Sequence, residues 1–485
     1  MTTKLKLNDT FILYLLIFMI GTLILSSFFL IGLGYSQSKG QWLWIMPLLM
    51  LFFCFISIIK IISLDWRYIL SPISMFILTV CIFHGLGPLL YHFGDHDTIF
   101  WVNNRFYISE SSLFRANLLV QVGLLFSLFG ITLGKKLKLS RSIKSVISQT
   151  SKISIKQVLF ILLLVGVPVK YFLILPYMMG VLNTVIPGAI YSLTNLILVA
   201  LVLLSYLISI NNTKLKFIYY ILLVMEVSSG VLVMSKLWII LPILAVVLGR
   251  TIATRRTTTL IKGALLILTI FIIITPLILA ARTDLSLNND NKGIVDRLIA
   301  VSNAATNNNQ NISSEDGQQW WWIRINYVPA QTLAMNMYDK GNNGESIFKS
   351  MTWVLIPRII YPNKPVFDVS TQFSIMMNGN ENNHDSPGAY GDIYWNYGWF
   401  GLVLLSFYMG LLLGWFHQLT LTVITKKNWL LFPLVLNITL VIGRGINNFF
   451  IKTYFIEVIF IIAQGIFLIF ISIILFRKTM SQRYW

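Results

Sequence analysis

Charged side chains are scarce in this chain of 485 residues: only 11% are Asp, Glu, Lys or Arg, against about 25% in soluble globular proteins. Combined with 56% hydrophobic residues and a mean hydropathy of +0.76, that scarcity excludes an ordinary soluble enzyme. It predicts an all-α polytopic membrane protein. Cysteine is nearly missing as well. Cys54 and Cys81 both fall inside apolar runs, which excludes a disulfide framework and a thiolate metal site. Acidic residues are few, 18 against 37 Lys+Arg. The resulting net charge of +19 would suit a nucleic-acid partner if it were gathered on one soluble domain. It is distributed over short polar segments instead, so it reports topology, and no nucleic acid is expected.

A membrane span needs roughly 20 apolar residues. Apolar runs predict about twelve helical spans, near 11–33, 42–62, 69–90, 112–134, 157–178, 187–210, 217–234, 237–249, 263–281, 394–418, 429–449 and 454–476. Helices are expected because an open sheet leaves backbone groups unsatisfied in lipid. The first run is too long for the apolar core of a signal peptide and is read as a retained span. The run at 237–249 is the shortest, and the pair around Ser235-Lys236 is read as a hairpin. With that hairpin, alternate loops carry more than half of the 37 basic residues, the densest stretch running from Lys135 to Lys156. The loops on the other side hold few, Lys39, Arg105 and Lys170 among them. The positive-inside rule then places both termini in the cytoplasm.

The chain thus divides into nine spans over 1–281, a large outer loop over 282–392, and three further spans over 393–485. The loop opens with an Asn-rich stretch, Asn288 to Asn311, expected to be mobile. Trp320-Trp321-Trp322 follows and suits a membrane–water interface. The loop closes with two dense segments, Ile356-Pro357-Arg358-Ile359-Ile360-Tyr361-Pro362-Asn363-Lys364-Pro365 and Asn383-His384-Asp385 through Gly388 to Gly401.

Several residues are candidates for chemistry. Arg358 and Lys364 sit in a proline-stiffened turn, and a fixed guanidinium suits phosphate oxygens. Arg444, between Gly443 and Gly445 in an otherwise apolar run, is costly in lipid and therefore a functional candidate. Lys236 at the hairpin turn and Arg282 at the start of the loop would complete a set of cations facing an anionic lipid diphosphate. Headgroup anchoring and stop-transfer roles explain the same residues. His384-Asp385 offers a titratable pair able to accept a proton from a sugar hydroxyl. Glu226, an acid deep in an apolar helix, is expected to pair with a cation. His92, Asp95, His96 and Asp97 contain an Asp-x-Asp, too short a pattern to predict a metal. Neither a metal nor a cofactor is expected.

The order of these pieces resembles the Wzy-type repeat-unit polymerases of O-antigen, common antigen and capsule. A basic residue lies at a helix turn, a long outer loop ends in Ile-Pro-Arg-x-x-x-Pro-x-Lys-Pro, a Gly-rich re-entry follows, and Gly-Arg-Gly comes later. The specific part covers about 345–450. The resemblance implies a GT-C-like membrane glycosyltransferase of the bacterial inner membrane with a large periplasmic loop. Such an enzyme joins undecaprenyl-diphosphate-linked oligosaccharides beside a chain-length regulator and a flippase. It implies diphosphate binding by Arg358, Arg444, Lys236, Arg282 and Lys364, with His384 or Asp385 as the base. An O-antigen ligase is the nearest alternative, and a lipid-linked oligosaccharide flippase the alternative of another class.

Overall fold

The computed structural model describes residues 2–32, 45–64, 66–106, 108–182, 186–210, 213–287, 294–306, 320–344, 356, 361, 369–378 and 385–481. Among these residues the chain is helical and contains no strand. The helices used below are α1 (Thr2–Gly32), α2 (Ile45–Leu64), α3 (Pro72–Phe93), α4 (His96–Phe106), α5 (Glu110–Gly134), α6 (Arg141–Thr150), α7 (Ile155–Met178) and α8 (Asn195–Ser209). They continue with α9 (Lys216–Leu232), α10 (Lys236–Thr254), α11 (Thr257–Leu287), α12 (Ile294–Thr306), α13 (Val328–Asp339), α14 (Val369–Asn378), α15 (Gly388–Thr425) and α16 (Lys452–Phe476).

Eight helices among the described residues are long and apolar enough to cross a membrane. Shorter apolar helices at Ile12–Leu25, Ile45–Ile61 and Phe432–Ile442 cover three more of the expected runs, and α9, with 17 residues, covers the last. The chain is a polytopic membrane protein. The hairpin expected at 217–249 is present as α9 and α10, with Met234 at φ 52° in its turn. Helix α10 outlasts the apolar run because Arg250 to Thr254 stay helical until Arg255 takes φ 55°. The expectation of a mobile stretch over 288–311 is corrected in part, since α12 folds inside it. Apolar residues at 294, 295, 298, 299 and 301 recur at the helical spacing.

Two compact units share the chain. The first comprises Met1–Lys144, Gly317–Ile424 and Val435–Ile461; the second comprises Ser145–Asp316, Thr425–Leu434 and Ile462–Trp485. The first unit is organised by a close approach of α5 and α15. Each carries a Gly-x-x-x-Gly, Gly130/Gly134 and Gly410/Gly414. A Cβ added at Gly130 would run into the Phe407 carbonyl, one at Gly134 into the Leu411 carbonyl, and one at Gly410 into the Ser127 carbonyl. Such small-residue contacts let two backbones pack in lipid, where no hydrophobic force drives helices together. Contacts advance in the same sense along both helices, so α5 and α15 run parallel. His417 on α15 also bonds Ser71 (Nδ1 to Oγ, 2.7 Å) and stacks on Tyr68.

In the second unit α8 is the central helix, buried on every side from Leu196 to Leu204, as expected of a helix apolar all round. Its neighbours are α7, α9 and α10. Glu226 of α9 accepts from Lys170 Nζ at 2.6 Å and from the Tyr171 hydroxyl at 2.7 Å. Lys170 also lies over the Trp238 ring at 4.6 Å. Lys170, read from sequence as a loop cation, is therefore a buried helical residue and the partner of Glu226. It sits in a π-turn, Pro168–Ile174. Pro168 lacks the N–H that would continue the α-ladder, and such turns are frequent at functional sites.

Candidate functional site

The site lies within the first unit, where the starts of α13 and α15 meet the segment 443–447. That segment was expected to be one helix over 429–449, but it is broken. A π-turn at Ile438–Ile442 leads to Gly443, and Arg444 precedes a 3-10 turn at Gly445–Asn447. The two flanking glycines have packing reasons. A Cβ at Gly443 would lie 2.9 Å from Met75 Cβ and 3.0 Å from the Pro72 carbonyl, and one at Gly445 would strike Thr453. The Gly-Arg-Gly thus wedges Arg444 into a tight backbone corner.

Gly388 supplies the opposite wall. It has φ 71°, and a Cβ there would lie 3.0 Å from the Ile446 carbonyl and 3.4 Å from the Tyr327 ring. Asp385, three residues earlier, is half-buried and donates its backbone N–H to Ser374 Oγ at 2.8 Å. The Tyr327 phenol is pushed up to about 12, by burial first and then by the charge of Asp385, against the opposing charges of Arg324 and Arg444. Arg444 in turn feels the charge of Glu457. Two cations and two carboxylates therefore act on one corner lined by a tyrosine.

Several polar atoms here are buried without a hydrogen-bond partner among the described residues: Arg444 Nε, Asn447 Oδ1, the Tyr454 hydroxyl, both amide atoms of Gln331, and both ring nitrogens of His84. Buried polar groups are paired in the great majority of cases, so such a cluster marks a place built for a polar ligand or water. His84 lies in the π-turn Cys81–Leu86, its ring 6.3 Å from Tyr327 and 6.2 Å from Tyr390 between centroids. It also lines a cavity of about 10 Å³ with Asn117 and Gln121, room for roughly one water. Trp322 of the tryptophan triplet fixes this wall by donating Nε1–H to the Leu86 carbonyl at 2.9 Å.

Asp392 holds the re-entry of α15 in place. Its Oδ2 accepts from Phe450 N at 2.9 Å, and Asn396 Nδ2 reaches Oδ1 at 3.1 Å. Ten residues after Gly388, Gly398 breaks α15 with φ 61° and ψ −155°. A side chain there would meet the Tyr338 ring at 2.8 Å.

Of the residues singled out by sequence, Arg444 and Asp385 come to this corner. Arg358, Lys364 and His384 lie outside the described residues. Lys236 and Arg282 belong to the second unit. Lys236 is half-buried at the first position of α10, with Nζ 5.7 Å from the Phe271 ring, and Arg282 is in α11. Asp95 of the Asp-x-Asp caps α4, accepting from Thr98 N at 2.6 Å and Thr98 Oγ1 at 2.8 Å. Sequence reasoning missed Tyr327, Gln331, His84 and Glu457. His84 and Glu457 were detectable as ionisable residues inside apolar runs; Tyr327 and Gln331 carried no such signal. Compared with protein-family models, curated proteins and solved structures, the chain matches none.

Proposed function

We propose that this protein is a glycosyltransferase that polymerises undecaprenyl-diphosphate-linked oligosaccharide repeat units at the periplasmic face of a bacterial inner membrane. In this reading twelve spans place both termini in the cytoplasm and the segment 282–392 outside. The parallel packing of α5 and α15 supports the topology, because the fourth and tenth spans of such a chain run in the same direction. The observation that carries the chemical reading is the corner where Arg444 and Asp385 both act on Tyr327, amid buried polar atoms with no partner among the described residues. An arginine fixed in a polar corner at a membrane boundary suits an anionic headgroup. A neighbouring carboxylate suits proton removal from a hydroxyl.

The reaction runs as follows in this reading. The acceptor hydroxyl gives its proton to Asp385 or His384, and its oxygen bonds to the anomeric carbon of the donor glycan. The bond from that carbon to the lipid diphosphate breaks with its electron pair. Arg444, with Arg358 and Lys364 from the proline-framed segment, neutralises the charge left on the departing diphosphate. The roles that the resemblance implies for Lys236 and Arg282 are tested separately, by Lys236→Gln and Arg282→Gln.

The test is a deletion strain complemented with wild type, Arg444→Gln or Arg444→Lys, with surface glycan and lipid-linked intermediates resolved by gel and mass spectrometry. Wild type restores a ladder of chain lengths, while Arg444→Gln leaves single repeat units at unchanged protein level. Arg444→Lys, which keeps charge but loses the fork, restores short chains. Long chains stranded on the lipid diphosphate in the deletion strain would assign a ligase instead. Single units trapped on the cytoplasmic leaflet would assign a flippase.

A further inference from the structure

Helix α12 has three distinct faces. It buries Ala300 in a cluster with Met234, Ile239, Ile278 and Ala281, packing on α11 and on the turn between α9 and α10. Arg297 fixes it there by donating Nη1–H to the Leu232 carbonyl at 3.1 Å. On the far side three large apolar residues are exposed: Val295 at 66%, Leu298 at 49% and Ile299 at 51%. They stand at the i, i+3, i+4 spacing of one helical stripe. Asp296 and Asn303 are exposed as well.

The angular order of these faces is informative. At about 100° per residue from Val295, the exposed, largely apolar stripe spans roughly −60° to +40° with the small polar Ser302 inside it at about −20°, and the packed residues Arg297, Ala300 and Val301 span roughly 140° to 240°. Asp296 and Asn303 fall at about 80–100°, between the two on one edge, while the opposite edge, at about 270°, is flanked by Val301 and Leu298. A helix lying flat at a membrane boundary beside its own bundle needs this arrangement. Protein lies on one flank, lipid on the other, water above and acyl chain below.

The neighbouring surface points the same way. Helix α11 is a candidate span over Thr258–Thr275, and its outward residues Leu265 and Ile272 are exposed at 59% and 60%. Helix α12 docks at the level of Ile274, Ile278 and Ala281, at the end of that apolar run, so its apolar stripe continues a surface of membrane-facing character. We infer that α12 is an interfacial helix, with Val295, Leu298 and Ile299 seated at the boundary of lipid headgroups and acyl chains and Asp296 and Asn303 turned to water. The occupant of this face is the bilayer itself. By holding the Leu232 carbonyl through Arg297, the helix also sets the turn that leads into Lys236 at that level.

The test uses the full chain in nanodiscs of phosphatidylethanolamine and phosphatidylglycerol. An environment-sensitive fluorophore is attached at Val295→Cys, Leu298→Cys, Ile299→Cys, Asp296→Cys or Asn303→Cys. Cys54 and Cys81 are both buried, and labelling of the unsubstituted chain measures their background. Quenching by a lipid nitroxide near the top of the acyl chain is expected to be about two-fold or more stronger at 295, 298 and 299 than at 296 and 303, with iodide in the opposite order. Equal iodide quenching at all five positions would overturn the inference, since the face would then be in water. Shielding of 295, 298 and 299 from both quenchers would also overturn it, assigning the face to a second copy or to another segment of the chain.

Discussion

Replacing Glu226 by alanine tests how the second unit is held together. The carboxylate is fully buried and is shared by the Lys170 ammonium at 2.6 Å and the Tyr171 hydroxyl at 2.7 Å. Glu226→Ala leaves Lys170 buried with its charge opposed, among the described residues, by the face of Trp238 at 4.6 Å. Breaking one side of a buried ion pair costs about 3–5 kcal/mol. The Trp238 contact is present before and after the change and offsets none of this, so a loss of about 3–5 kcal/mol is expected. The companion variant Lys170→Met with Glu226→Leu removes both charges and keeps apolar volume, and buried pairs replaced in this way are near neutral. The assay is reversible unfolding of purified protein in mixed micelles, with Lys170→Met, Glu226→Leu and their combination forming a double-mutant cycle beside Glu226→Ala. A loss of less than about 1 kcal/mol in Glu226→Ala, or a double variant as unstable as either single, would show that this pair does not hold the second unit together.

Three further outcomes follow from particular contacts. Gly410→Leu drives a side chain into the Ser127 carbonyl of α5 and, with no flexible neighbour to yield, should destabilise the first unit by at least about 1–3 kcal/mol in the same unfolding assay. Gly388→Ala must hold φ 71° against the Ile446 carbonyl; a backbone cost of about 1–2 kcal/mol is expected, with chain extension in the complemented strain falling more than protein level does. Asp392→Ala strips Phe450 N of its acceptor and should cost about 1–3 kcal/mol, whereas Asp392→Asn, which keeps one acceptor oxygen, should recover part of that loss in the unfolding midpoint.

The helical class and nearly every apolar run were legible because composition and a requirement for roughly 20 apolar residues act locally. What composition could not place was anything decided by a distant partner. Lys170 looked like a loop cation because a lysine ordinarily ends an apolar run; only the carboxylate of Glu226 makes its burial tolerable. The two Gly-x-x-x-Gly motifs stood in plain view, yet neither says which helix it meets until Gly130 is found against Phe407 and Gly410 against Ser127. Residues 288–311 looked too rich in asparagine to fold, and α12 forms there because its apolar positions find Met234 and Ile278 to pack on. Arg444 was legible from its cost in lipid, whereas Tyr327 was not, since an aromatic near a membrane boundary is unremarkable until Asp385 and Gly388 close on it.

In the function proposed above, the corner around Arg444 carries glycosyl transfer from a lipid diphosphate. The most direct measurement supplies purified, reconstituted wild type and Arg444→Gln with an undecaprenyl-diphosphate-linked repeat unit alone, with no nucleotide sugar, and follows both glycan length and released undecaprenyl diphosphate. Wild type is expected to form dimers and longer chains with one lipid diphosphate released per bond, and Arg444→Gln to release none. Equal release by both proteins, or chain growth that requires a nucleotide sugar, would contradict that function.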